Sequence, residues 1–78
     1  MPSGPQIRAA RALLGISAKE LAQLAGVGWA TIQRYESSVE VPSAQLHKMD
    51  QVSKVLEDAG IEFSGDPVLS PGVRLRRK

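Results

Sequence analysis

The chain has 78 residues, which suits one domain with a small core, and its single Trp, Tyr and Phe leave aliphatic residues to do the packing. With no cysteine and one histidine, a disulfide framework is excluded and a metal centre is not expected. The formal net charge of +2 arises at the C-terminus, because residues 1–73 carry six basic and eight acidic groups and four basic residues occupy the last five positions. Bulk charge therefore does not indicate a nucleic-acid partner, and any evidence for one has to come from where the charges lie in the sequence.

Apolar runs in the sequence are only a few residues long. A helix needs about 20 apolar residues to cross a bilayer, and the N-terminal residues lack the pattern of a signal peptide. We therefore expect a cytoplasmic protein that makes no membrane contact.

The first predicted helix begins at Gly4-Pro5, because proline is preferred at the first helical position, where its missing N–H costs nothing. The segment MPSG is expected to be a disordered lead-in. Apolar residues then recur on one face, at Ile7, Ala10 and Leu14. Gly15 ends this short amphipathic helix.

Residues 17–36 predict a second helix, a tight turn and a third helix. Ser17 and Glu20 form an S-x-x-E capping box, which marks the start of the second helix. Small or apolar residues follow at the spacing that two crossing helices require, at Leu21, Ala22 and Ala25. Gly26 can adopt the positive φ that a turn of three to four residues needs.

The third helix is predicted to start after Gly28, which takes the N-cap position. The residues expected to face inward are Val27, Ile32 and Tyr35. The outward-facing residues are then Trp29, Ala30, Gln33 and Arg34.

The second half of the chain predicts a loop, a helix and a hairpin. Residues 37–43 are polar and contain a proline, as in a connecting loop. A longer helix from about Ala44 to Ala59 follows, with two shorter helices and a kink as the alternative, and Gly60 closes it. Apolar and polar residues then alternate, which predicts a two-stranded hairpin with four inward residues, Ile61, Phe63, Val73 and Leu75. Such a hairpin is marginal alone, so we expect it to pack on the helices or to pair with another chain.

The segment SAKELAQLAGVGWATIQRYE, residues 17–36, resembles the helix-turn-helix of the lambda-repressor and Cro-like family, also called the XRE type. The resemblance extends over about Pro5 to Gly60. It implies a mostly α fold, a compact domain of four to five helices with a short C-terminal β-hairpin. Residues 1–60 would form the DNA-binding domain, and residues 61–78, the hairpin and basic tail, would belong to the same compact unit.

The resemblance also implies what individual residues do. In this family the exposed positions of the third helix read bases in the major groove. Base contacts are thereby assigned to Trp29, Ala30, Gln33 and Arg34. Helix N-termini favour anions, and phosphate contacts are assigned to Ser17, Lys19, Gly28 and Thr31. A partly buried ion pair between Arg11 and Glu36 is expected to set the tilt of the third helix.

The sequence departs from the family pattern at positions where the family contacts DNA phosphates, and these departures are expected to weaken phosphate binding. Gly28 stands where a serine or threonine is common, and Ala18 stands where many relatives have glutamine. The loop carries Ser37, Ser38 and Glu40 in place of basic residues. We therefore expect modest affinity unless the tail or a second subunit contributes.

Two positions remain open between alternatives. Trp29 either meets DNA or a partner, or folds back onto the domain. The basic tail RLRRK is either an arm on DNA or a solubilising terminus, with Arg74 and Arg76 on the outer face of the second strand.

These observations predict a small transcriptional regulator that binds double-stranded DNA as a homodimer, because one such domain makes few contacts. The alternative is a protein-interaction module, an adaptor or antitoxin-like partner that keeps the fold with weak or no DNA binding. Its motives are the acidic balance of residues 1–73 and the alanine at Ala18. An enzyme is not expected, since His47 reads as a lone surface residue and no catalytic or cofactor-binding motif occurs.

Overall fold

The computed structural model describes residues 2–37 and 46–76. Four helices come first, α1 Gly4–Leu14, α2 Ala18–Ala25, α3 Trp29–Glu36 and α4 Leu46–Asp58, followed by two strands, β1 Ile61–Ser64 and β2 Gly72–Leu75. The predicted fold class, a mostly helical domain with a C-terminal hairpin, is confirmed. Within the described ranges no helix is both long and apolar enough to span a membrane.

A single apolar core joins the helices. The largest side chains that are fully buried in it come from all four, at Ile7, Leu21, Ile32, Met49, Val52 and Leu56. Ile61 adds the first residue of the hairpin to the same cluster. The apolar stripes predicted for separate helices therefore converge on one centre, which is how short helices become stable.

The start of α2 and the turn after it form as predicted. The Glu20 amide donates to Ser17 Oγ over 3.1 Å, and the Ser17 amide donates to Glu20 Oε1 over 3.0 Å. Gly26 has φ 70°, in the left-handed region that favours glycine. The Val27 amide donates to the Ala22 carbonyl over 3.0 Å. This local geometry sets the entry of the chain into α3.

The expected lead-in, MPSG, is wrong for its described part. Ser3 is buried and serves as the N-cap of α1, and its amide donates to Gln6 Oε1 over 2.8 Å. The helix therefore begins at Gly4, with Pro5 second rather than first. The signal was present as a serine followed three residues later by a glutamine, which is the pattern of a capping box.

The hairpin forms with the predicted inward-facing residues. Ile61 pairs with Leu75 and Phe63 with Val73, so the four apolar residues share one face, which packs against α1 and α4. The expectation that the hairpin packs on the helices is thus confirmed.

Gln6 fastens the hairpin to α1. Its Nε2 donates to the Ser64 carbonyl over 3.2 Å and to the Gly72 carbonyl over 3.0 Å. Ser64 and Gly72 are the pair at the turn end of the ladder, and Gln6 itself is buried. One buried amide therefore satisfies the nearby Ser3 amide and two carbonyls that are distant in sequence, which the pattern of apolar residues could not indicate.

The fourth helix is one continuous element from Leu46 to Asp58, so the kinked alternative is wrong over that range. Gly60 follows with φ 106°, and its carbonyl accepts the Arg76 amide over 2.8 Å. The predicted start near Ala44 and most of the predicted loop, residues 38–43, lie outside the described residues.

Replacing Gln6 tests the attachment of the hairpin. Gln6→Ala leaves the Ser64 and Gly72 carbonyls without their side-chain donor, and we expect the free energy of unfolding to fall by about 1 to 3 kcal/mol. Gln23, an exposed residue of α2, provides the control, and Gln23→Ala should change it by less than about 0.5 kcal/mol. Urea unfolding followed by circular dichroism measures both, and equal small effects would contradict the assigned anchor.

Candidate nucleic-acid interface

The third helix has one buried and one exposed face. Its inward side chains are Thr31, Ile32, Tyr35 and Glu36. The four residues predicted to face outward are all exposed, at Trp29, Ala30, Gln33 and Arg34. The structure therefore presents an alanine, an amide and a guanidinium on one short helix, with an indole at its start.

Arg11 and Glu36 form the ion pair expected from the sequence. Arg11 Nε lies 2.8 Å from Glu36 Oε2, and Nη2 donates to Oε1 over 3.0 Å, so the contact is bidentate. The two side chains are 23% and 9% exposed. Arg11 Nη1 also donates to the Ile16 carbonyl over 3.2 Å. Hydrogen bonding to Glu36 raises the pKa of Arg11, and the pair ties the end of α3 to both α1 and the α1–α2 connection.

A second arginine of α1 reaches the same end of α3. Arg8 Nη2 donates to the Glu36 carbonyl over 3.3 Å. The last carbonyls of a helix lack partners within the helix and carry the negative end of its dipole, so a cation there is stabilising. Sequence reasoning missed Arg8, although its spacing of three residues from Arg11 places both on one side of α1.

Tyr35 holds the inner side of α3 in place. Its hydroxyl donates to the Pro2 carbonyl over 2.7 Å, which links α3 to the chain just before α1. Burial raises the pKa of Tyr35 to about 12. The start of α3 has no side-chain cap, and the Ile32 amide donates to the Gly28 carbonyl over 3.3 Å.

The predicted phosphate-contacting residues divide into two groups. Ser17, Lys19 and Gly28 are exposed at the N-termini of α2 and α3, where free amides favour an anion. Thr31 is 7% exposed and does not fit that role. It falls on the helix face that also buries Ile32, so its assignment is corrected.

Trp29 is not buried in the core, and its ring contacts a side chain of α2. Its side chain is 47% exposed, so it is not folded into the core. Lys19 Nζ lies over its ring, 5.2 Å from the centroid, which is within range of a cation–π interaction. The indole and the ammonium therefore form one unit at the junction of α2 and α3.

The basic residues of the hairpin are engaged with a carboxylate. Arg74 Nη2 and Arg76 Nε lie 3.1 and 3.2 Å from Glu62 Oε1. Both arginines are exposed, as expected, but only Arg74 lies in β2, because the strand ends at Leu75 and Arg76 follows it. Residues 77 and 78 of the tail lie outside the described part of the chain.

His47 is exposed, as expected, and no cluster of three or more His, Cys, Asp or Glu side chains that could hold a metal occurs in residues 2–37 and 46–76.

The helical part of the chain matches a known protein family. A family model described as helix-turn-helix matches residues 7–57, which is more than half of the chain and includes α1 to α4 except for three residues at the start of α1 and one at the end of α4. No curated protein matches the chain.

Breaking the ion pair from one side tests its structural role. Glu36→Gln leaves the Arg11 guanidinium partly buried without its counter-charge, and we expect the free energy of unfolding to fall by about 3 kcal/mol. The double variant Arg11→Met with Glu36→Leu should recover much of that loss, since no unpaired charge then remains. Urea unfolding measures both variants, and an equal or larger loss in the double variant would contradict this account.

The raised pKa of Tyr35 makes stability depend on pH. The folded protein keeps the phenol proton up to about pH 12, whereas the unfolded chain loses it near the ordinary tyrosine pKa of 10.0. The unfolded state therefore binds fewer protons above pH 10, and the stability from Tyr35 is lost as pH rises from about 10 to 12. Since the chain has one tyrosine, phenolate absorbance follows Tyr35 directly. A native titration midpoint near 10 would contradict the prediction, and Tyr35→Phe should lack this part of the pH dependence.

Proposed function

Since the chain belongs to the lambda-repressor-like, XRE-type helix-turn-helix family of DNA-binding domains, we propose that it is a small transcriptional regulator that reads a specific duplex sequence. The observation that carries the proposal is the outward face of α3, where Gln33 and Arg34 are exposed while Ile32 and Tyr35 are buried behind them. A helix of this kind fits the major groove. Such a regulator has to be in the same compartment as the DNA, and we propose that this compartment is the cytoplasm.

The chemistry of the exposed residues supports base reading. Arg34 can make a bidentate contact with guanine, and Gln33 can do the same with adenine. Ala30 can lie against a thymine methyl group. These contacts need a rigid helix, which the bidentate Arg11–Glu36 pair at its end supplies.

The N-termini of α2 and α3 are proposed to set the position of the protein on the backbone. Ser17 uses its oxygen to accept the Glu20 amide, which leaves its hydroxyl proton for a phosphate. Lys19, in the first turn of α2, and Gly28, at the N-cap of α3, are exposed as well. Such contacts fix the register of the helix without reading sequence.

We propose that two copies bind together. An eight-residue helix can read only a few base pairs, whereas two copies whose helices lie about 34 Å apart can read a two-fold operator. The turn of the hairpin offers apolar surface for such contact, since Val68 and Leu69 are 62% and 85% exposed. Asp66 Oδ1 accepts both of their amides over 2.8 Å, which holds the turn in one shape.

The same turn is the observation that favours the second candidate, a protein-interaction module with weak or no DNA binding. Exposed apolar side chains on an ordered turn fit a protein partner as well as a second copy. A salt titration with random-sequence duplex separates the two functions. A DNA-binding protein loses affinity steeply with salt, and a flat response would favour the interaction module.

Substitution of the exposed face tests the proposal. We expect Gln33→Ala and Arg34→Ala each to weaken binding to a duplex enriched from a random pool by about 5- to 150-fold, because each removes a bidentate base contact worth about 1 to 3 kcal/mol. The enriched sequence should also show two half-sites one helical turn apart.

Exposed residues of α4 supply matched controls. Gln51→Ala and Lys54→Ala remove the same amide and a like charge from a helix outside the helix-turn-helix, and should leave affinity within about two-fold. Melting curves establish that every variant folds. Unchanged binding in both Gln33→Ala and Arg34→Ala would show that α3 is not the reading helix.

A further inference from the structure

Trp29 makes a contact that base reading does not require. Lys19 Nζ lies 5.2 Å from the centroid of its ring. Lys19 is the second residue of α2 and Trp29 is the first residue of α3, so the contact joins the starts of the two helices. These are the same two N-termini at which phosphate contacts are proposed.

The ammonium of Lys19 has no competing carboxylate in the part of the chain that the structure describes. The neighbouring Glu20 carboxylate accepts the Ser17 amide over 3.0 Å, and the ion pairs among the described residues involve other cations. An ammonium has three N–H donors, and a ring face occupies only one side of it. Lys19 can therefore rest on the indole and still donate to a phosphate.

We propose that Trp29 is a positioning residue, whose ring holds the Lys19 ammonium where it meets a DNA phosphate, and that Trp29 itself reads no base. The inference rests on the proposed DNA-binding function. A lysine loses much rotamer freedom when it is fixed on a phosphate, and the ring restricts that freedom before DNA arrives. The gain applies to any duplex, because a phosphate contact carries no sequence information.

This role also accounts for a tryptophan at the surface, because neighbouring positions at these helix N-termini lack side-chain donors for a DNA phosphate. Ala18 cannot donate a side-chain hydrogen bond, and Gly28 offers no hydroxyl. An ordered Lys19 therefore carries a larger share of phosphate binding than a mobile lysine would.

A double-mutant cycle tests the proposal on two duplexes, the enriched site and a random sequence, each over a range of salt. Trp29→Ala should weaken binding to both duplexes by the same factor, about 2- to 5-fold. Lys19→Ala should lower the magnitude of the salt slope by about 0.9. In the Lys19→Ala background, Trp29→Ala should have no further effect on the random duplex, and Trp29→Phe in the native background should keep most of the affinity.

Two controls and one independent readout complete the experiment. Lys54→Ala removes an exposed lysine from α4 and should keep the full slope. The chain has one tryptophan, so its fluorescence reports the contact in the free protein. Lys19→Ala should shift that emission, and Gln23→Ala, at another exposed position of α2, should not.

The outcomes distinguish a wrong role for Trp29 from a wrong proposed function. A loss confined to the enriched site would make Trp29 a base reader, and an equal loss on the random duplex in the Lys19→Ala background would mean that Trp29 contacts DNA without Lys19. Either result would overturn the inference while the proposed function stands. Emission that does not respond to Lys19→Ala would overturn the contact itself. Failure of the native protein to bind either duplex would overturn the proposed function, and this inference with it.

Discussion

The bidentate contact between Arg11 and Glu36 is the interaction on which the orientation of α3 depends. It joins α1 to the last residue of α3 through two hydrogen bonds of 2.8 and 3.0 Å. Arg11 also donates a hydrogen bond to the carbonyl of Ile16. Arg8 adds a donor to the carbonyl of the same glutamate. A helix of eight residues has few contacts of its own, so this ionic clamp at one end and the buried Ile32 along its side decide which residues point outward.

Neutral hydrogen bonds connect the N-terminal residues to the hairpin and to α3. Gln6 connects the cap of α1 to both strands of the hairpin, and Tyr35 connects α3 to Pro2. The N-terminal residues thereby join three elements that are far apart in sequence. A two-stranded sheet would be marginal by itself, and the buried amide of Gln6 together with its apolar face makes the hairpin part of the domain.

The proposed DNA-binding surface uses few charges. Lys19 and Arg34 are the exposed cations of α2 and α3, and Arg74 and Arg76 are paired with Glu62. Long-range attraction to a duplex is therefore limited, and affinity has to come from well-placed contacts. A rigid third helix, a capped second helix and a lysine held on an indole all reduce the entropy lost on binding. The proposed surface therefore relies on ordered side chains rather than on a high density of positive charge.

The sequence by itself determined the elements and the outward face of α3. The capping box of Ser17, the positive φ of Gly26 and the alternation in the hairpin are local signals, which depend on residues a few positions apart. The ion pair of Arg11 followed from resemblance, because its partner lies 25 residues away. Only the tertiary structure decided that Ser3 and Thr31 are buried and that Lys19 lies over Trp29, since these facts depend on how close separate helices come, and apolar periodicity within one helix carries no information about that distance.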